Sequence, residues 1–321
     1  MGNSWRKLLR RTVSHAVVDD ADQLQLAYRG FGLEPLREGR SHGPTMTQRV
    51  AGDRLAFTAS ELGFPTLTTA TSPDDCVCVA YVPATPPGTR WCEFDIDPGA
   101  VMLWHPSAEH HAANQPGLEV MAARVGLERL DEVADPVGVG IPTVASGQVD
   151  LLAPGSAVAD NIRRALWNFR AVAASDAVPG SVYEDDLVRA VAAALAIDPR
   201  RSQTRAVRAV DNRTVVRACL DYADSVSRIP AISELCLAAQ VSERRLRQAF
   251  TAEFDTPPTR FFRAWALAEA HRRLAEPETA APSVTTVALD IGFEHLGRFA
   301  GSYRKIYGES PSTTLRTAHA V

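Results

Sequence analysis

Two short stretches carry side chains that could recognise a polyanion. In "ERRLRQAFTAEF" (243–254), helical spacing puts Glu243, Arg244, Arg247, Gln248 and Thr251 on one face, with Arg245 flanking. A guanidinium can bond O6 and N7 of guanine in bidentate fashion, and a glutamine amide can do the same with N6 and N7 of adenine. Each good pair discriminates between bases by about 1–3 kcal/mol. In "EHLGRFAGSYRKIYG" (294–308) the corresponding face is Gly297, Arg298, Gly301, Arg304 and Lys305. Its cations suit phosphate oxygens, which position a protein without specifying sequence. Its glycines have no side chain with which to read a base, and each costs about 0.5–1 kcal/mol relative to alanine within a helix.

The elements that must position these faces occur twice. "ISELCLAAQVSERRLRQAF" (232–250) reads as a short apolar helix, a tight turn and a second helix capped by Ser242. "VTTVALDIGFEHLGRFAGSYRKI" (284–306) repeats the arrangement, with Gly292 allowing the turn. In each, a small residue (Ala238, Ala288) lets the helices cross closely. The second helix packs through Leu246 and Phe250, or through Phe299, Tyr303 and Ile306. This is helix-turn-helix construction, with the outward face of the second helix offered to a major groove. A long helix from Pro257–Pro258 to about Glu276 joins the two units, with Phe261, Phe262, Trp265, Leu267 and Leu274 as its apolar positions. A fixed spacer of this kind lets two reading helices enter successive grooves about 34 Å apart.

On these residues the chain resembles the AraC/XylS type of bacterial transcription regulator. That family pairs two helix-turn-helix units through one long helix and ends the second in a pattern like "GF…F…(K/R)…(F/Y)G…SP". Here "IGFEHLGRFAGSYRKIYGESP" supplies Gly292, Phe293, Phe299, Tyr303, Arg304, Lys305, Tyr307, Gly308, Ser310 and Pro311. The resemblance spans roughly 213–317. It implies a DNA-binding domain whose base-reading slots fall on Arg244, Arg247 and Gln248. Arg298 is the strongest candidate in the second unit for a base or phosphate contact, and Arg304 and Lys305 act as phosphate clamps. It also implies double-stranded promoter DNA as partner, a cytoplasmic location and a homodimer. Gly297 and Gly301 depart from the pattern. They allow close approach of backbone to DNA, packing against a protein such as RNA polymerase or a second protomer, or plain tolerance.

The rest of the chain has a different texture. From about 20 to 145, short β-like runs ("CVCVAYV" at 76–82, "WCEFDI" at 91–96, "AVMLW" at 100–104, "LEVMAARV" at 118–125) alternate with Pro, Gly, Asp and Asn. Such spacing predicts a small antiparallel sandwich or barrel, and it looks like the cupin-like sensing domains these regulators carry. Residues 156–175 and 181–197 follow as two amphipathic helices that could cap the sheet or pair with a second copy. The expected fold is therefore α+β and multidomain: a cupin-like β domain over 1–150, a helical extension over 151–197, a polar Arg-rich linker over 198–209, and an all-α double helix-turn-helix domain over 210–318.

A barrel mouth lined by Trp91, Trp104 and His105 is the expected small-molecule site, with Arg90 placed to meet an acidic ligand. His42, His105, His110 and His111 raise the question of metal, as in a cupin-type enzyme. Strand alternation sends His110 and His111 to opposite faces, and no His-x-His with a following Glu occurs, so neither a metal nor a cofactor is expected. No nucleophile–base pair, phosphate loop or dinucleotide motif appears, so no catalytic residue is assigned. Two other readings remain: a cupin-type enzyme with an accessory helical domain, and a DNA-binding protein whose N-terminal domain only mediates assembly.

Bulk composition agrees with this outline. The 321 residues favour two domains over one, and 45% apolar with 22% charged is ordinary for a globular protein. No apolar run approaches a membrane span, and the basic start lacks the apolar core of an export signal. The five cysteines are odd in number and form no CxxC pair, as expected of buried free thiols. Residues 198–321 carry 18 Lys+Arg against 14 Asp+Glu, while residues 1–197 carry 16 against 24. A basic C-terminal part on an acidic body suits a polyanionic partner.

Overall fold

Antiparallel strands of the N-terminal part form two sheets facing one another in a computed structural model of the chain. The structure describes residues 12–318 except 19–22, 25–27, 29–30, 32, 40, 44, 52–53, 93, 135–143, 174–180, 197–204, 207–209 and 276–282. The larger sheet runs in the order β1 (Thr12–Val18), β3 (Thr45–Ala51), β4 (Leu55–Glu61), β11 (Glu119–Gly126), β6 (Cys76–Ala84), β9 (Val101–Trp104), β12 (Val149–Leu152), β13 (Arg205–Ala206). The smaller runs β2 (Leu33–Arg37), β5 (Thr66–Thr71), β10 (Glu109–Asn114), β7 (Arg90–Trp91), β8 (Phe94–Asp95).

Strand alternation gives the larger sheet two apolar faces. Cys76, Cys78, Ala80 and Val82 of β6 point between the sheets, where Trp91, Trp104 and Phe64 join them. Val77, Val79 and Tyr81 point the other way, under α2 (Ala157–Ala173) and α3 (Ser181–Leu195). A sheet buried on both faces explains why these strands read as continuous apolar runs. Ile162, Ala165, Leu166 and Phe169 of α2 lie in that core. The stripe that could have paired with a second copy is therefore occupied by the sheet, leaving Trp167 as the exposed aromatic. The run "WCEFDI" is not one strand. Cys92 takes a left-handed φ of 47°, which breaks it into β7 and β8. The linker expected over 198–209 lies mostly outside the described residues, but Arg205–Ala206 pairs with Leu151 and Asp150 as an edge strand.

Residues 210–318 are helical: α4 (Val210–Val226), α5 (Ile232–Ala238), α6 (Glu243–Phe254), α7 (Pro258–Ala275), α8 (Val284–Ile291), α9 (Leu296–Tyr307) and α10 (Pro311–Ala318). α1 (Leu127–Ala134) precedes them in the N-terminal part. Two serines cap helices of the helix-turn-helix units. The Ser242 hydroxyl accepts from the Arg245 amide and that of Ser283 from the Thr286 amide, while Gly292 takes φ 100° at the end of α8. Each helix-turn-helix unit has its own core, and Trp265 of α7 packs against both. Among the described residues no helix is long and apolar enough to cross a membrane.

Candidate nucleic-acid interface and the wall behind it

α6 divides cleanly into two faces. Leu246, Ala249, Phe250, Glu253 and Phe254 are buried, and Glu243, Arg244, Arg247, Gln248 and Thr251 are exposed. Arg247 donates Nε and Nη2 to Glu243 Oε1 at 3.0 and 2.6 Å. Both side chains are about half exposed, so the pair holds Arg247 with only about 0.2–1 kcal/mol and can yield it to a better acceptor. Arg245 flanks this face. It is half-buried and donates to Asn212 Oδ1 at 2.6 Å, tying α6 to α4.

α9 buries Phe299, Tyr303 and Ile306 and exposes Arg298, Arg304 and Lys305. Tyr303 fixes it: its hydroxyl donates to Thr314 Oγ1 at 2.9 Å and lies 2.6 Å from His271 Nδ1. His271 also stacks on Tyr307, 4.1 Å between centroids and 4° from parallel. A Cβ placed on Gly297 or Gly301 would meet nothing within 4 Å. Packing within the chain therefore does not require these glycines. The expected result for Gly301→Ala is a stabilisation of about 0.5–1 kcal/mol in thermal or denaturant unfolding. If the bare backbone serves close approach to DNA, the same variant binds DNA more weakly while folding better.

Behind α6 lies β10, whose alternation separates adjacent histidines. His110 and Asn114 face the space between the sheets, while His111 and Ala113 face the helical domain. On the inner side is a partly open cavity of about 90 Å³ lined by Trp91, Trp104, His110, Asn114, Thr66 and Thr68, among others. Trp104 and Trp91 meet the His110 ring edge-on at 4.7 and 5.5 Å. Burial, with smaller effects from His111 and Arg213, pushes His110 down to about 3, so its imidazole is neutral near pH 7. The other two residues expected at this site lie elsewhere. His105 pairs with Asp150 at 2.9 Å, outside the cavity lining. Arg90 lines an open groove with Glu243, Arg244, Arg247, Gln248 and Thr251 of α6. Arg90 thus faces the candidate DNA interface, not the cavity.

On the outer side, His111 Nδ1 lies 3.1 Å from Glu253 Oε2, and both side chains are almost wholly buried. Leu67 and Ala113 join one apolar cluster with Val216, Phe250, Phe254 and Phe261 of the helical domain. Ion pairs Arg217–Glu109 and Arg260–Glu38 (2.7 Å) flank it. The five-stranded sheet is therefore a wall one strand thick, with the cavity on one side and α6 on the other. The sequence reading did not include Glu253. Its signal was an acid on the apolar stripe of α6, which marks a buried partner. Among the described residues, no group of three or more His, Cys, Asp and Glu is placed to hold a metal ion.

Residues 235–317 match a helix-turn-helix domain family. The chain is 40% identical over 92 residues to the XylDLEGF operon transcriptional activator 2 of Pseudomonas putida, covering 29% of this chain and 59% of that one. A second such activator from the same organism is 38% identical, with 29% of each chain covered. The chain thus spans less than two thirds of each of these curated relatives. A solved structure described as a probable AraC family transcriptional regulator from Rhodopseudomonas palustris CGA009 is 31% identical (TM-score 0.30), with 33% of this chain and 97% of that one covered. Over residues 235–317 the chain is similar to AraC/XylS-type regulators. The helix-turn-helix match over residues 235–317 contains both α6 and α9. It contains neither the wall nor the cavity, whose roles must be argued from their own residues.

Proposed function

We propose that the chain is a cytoplasmic regulator of transcription that binds double-stranded promoter DNA sequence-specifically. In this reading Arg244, Arg247 and Gln248 select bases, and Arg298, Arg304 and Lys305 anchor the second unit on phosphates. The N-terminal domain senses a small molecule held between its sheets. The observation that carries the sensing role is the shared wall. A ligand touching His110 and Asn114 presses on the same strand that seats Glu253 through His111. Binding that favours one position of β10 would shift the position of α6 by its differential affinity for the two.

The rival role, assembly alone, draws on the exposed Val17, Met46 and Trp167, the first two being cross-strand partners. Affinity for the upstream region of its own gene, measured with and without a bound effector, separates the two. A sensor changes affinity with ligand at constant oligomeric state. An assembly domain changes it only with protein concentration.

A further inference from the structure

The cavity's lining has a chemical character that the sensing role leaves open. Among the described residues, no Asp, Glu, Lys or Arg side chain lines it. The His110 ring is neutral, being buried against two tryptophans, and burial pushes the Tyr28 hydroxyl up to about 12, so it is neutral too. Burying an ionised ligand there would forfeit its hydration with no opposite charge in the wall to replace it. Polar groups are nevertheless present, and most are already committed. Trp91 Nε1 donates to Asn114 Oδ1 at 2.7 Å, and Asn114 Nδ2 donates to Thr66 and Thr68 Oγ1 at 3.1 and 3.2 Å. Each threonine hydroxyl thus accepts a bond and keeps its own hydrogen to give, and each lines the cavity. Size is the third constraint. About 90 Å³ is well below the roughly 300–1,000 Å³ of pockets for drug-sized ligands.

We infer that the cavity binds a small uncharged molecule, about one ring in size, with a hydrogen-bond acceptor directed at Thr66 and Thr68. This rests on the sensing role proposed above and names the class of its ligand. It also corrects the expectation of an acidic ligand held by Arg90, which lies outside the cavity lining.

The test uses the full chain and four probes of similar size: benzamide and benzyl alcohol as neutral molecules, benzoate as anion, benzylammonium as cation. Binding is read by tryptophan fluorescence and by the rise in melting temperature with probe concentration. The neutral pair should bind at least tenfold more tightly than either ion. Thr68→Val should weaken benzamide about five- to tenfold, the worth of one hydrogen bond. Ala70→Leu, which fills the cavity at a half-buried lining position, should abolish binding. If Ala70→Leu fails to fold, Thr68→Val carries the test alone. Benzoate or benzylammonium binding as tightly as benzamide overturns the inference, as does no binding by any probe. So does binding that neither variant alters. Neutral probes that bind as expected but leave DNA affinity unchanged uphold the ligand class and refute the sensing role.

Discussion

Arg247→Ala should relax sequence preference at a single base step, by about 1–3 kcal/mol or roughly 5–150-fold, while leaving affinity for unrelated DNA nearly unchanged. Arg247 gives up little and gains a matched acceptor pair. In the free protein its guanidinium leans on Glu243 across an exposed i,i+4 pair, which is worth little and is screened by salt. Two of its donors are already held side by side there, an arrangement a guanine edge can replace. Arg304→Ala is the counterpart. Arg304 stands exposed in the last turn of α9, beside glycines that cannot read bases. Its loss should weaken all sequences alike and flatten the dependence of log K on log salt by about one. Competition binding against a panel of single-step operator variants, repeated at several salt concentrations, measures both effects. A uniform loss for Arg247→Ala and a base-specific one for Arg304→Ala would mean that the duties of the two helices are exchanged.

His111→Ala should be the most disruptive single change in the wall, costing about 3 kcal/mol, the order expected when one member of a buried hydrogen-bonded pair is removed. Glu253 has no exposure, and among the described residues its other oxygen has no partner. Nearby, Arg213 Nε and Nη2 are also buried without partners among the described residues. Groups left so poorly satisfied regain water if the sheet and α6 separate, so the cost should appear as opening of this interface. Hydrogen exchange is then expected to accelerate in β10 and α6 while α2 and α3 keep their protection. The double variant His111→Leu/Glu253→Leu should recover most of the loss, because an apolar pair needs no partner. Uniform acceleration across the chain, or no rescue by the double variant, would show that the pair does not join the domains.

Much of this was legible in the sequence where local chemistry decides the structure. The Ser242 cap, the Gly292 turn and the aromatic stripe of α9 depend on neighbours a few residues away, and the helices stand where those residues predict. Period-2 alternation likewise separated His110 from His111. What the sequence could not supply were contacts made across long loops. The pairing of His105 with Asp150 and of Arg245 with Asn212 depends on how elements meet, and so does the placement of Arg90 beside α6. The two halves of the wall belong to residues 111 and 253, far apart in the chain. Only an acid on an otherwise apolar helix face hinted that such a partner existed.

Two similar units with unequal duties should leave unequal imprints on DNA, and selection of binding sites from random duplexes reads both at once. The predicted result is one cluster of strongly preferred bases and, about one helical turn away, a tract bound without preference. Arg247→Ala should erase a position within the cluster, and Arg304→Ala should leave the pattern intact at lower affinity. Two equally informative clusters, or enrichment lost from the second tract on replacing Arg304, would contradict it.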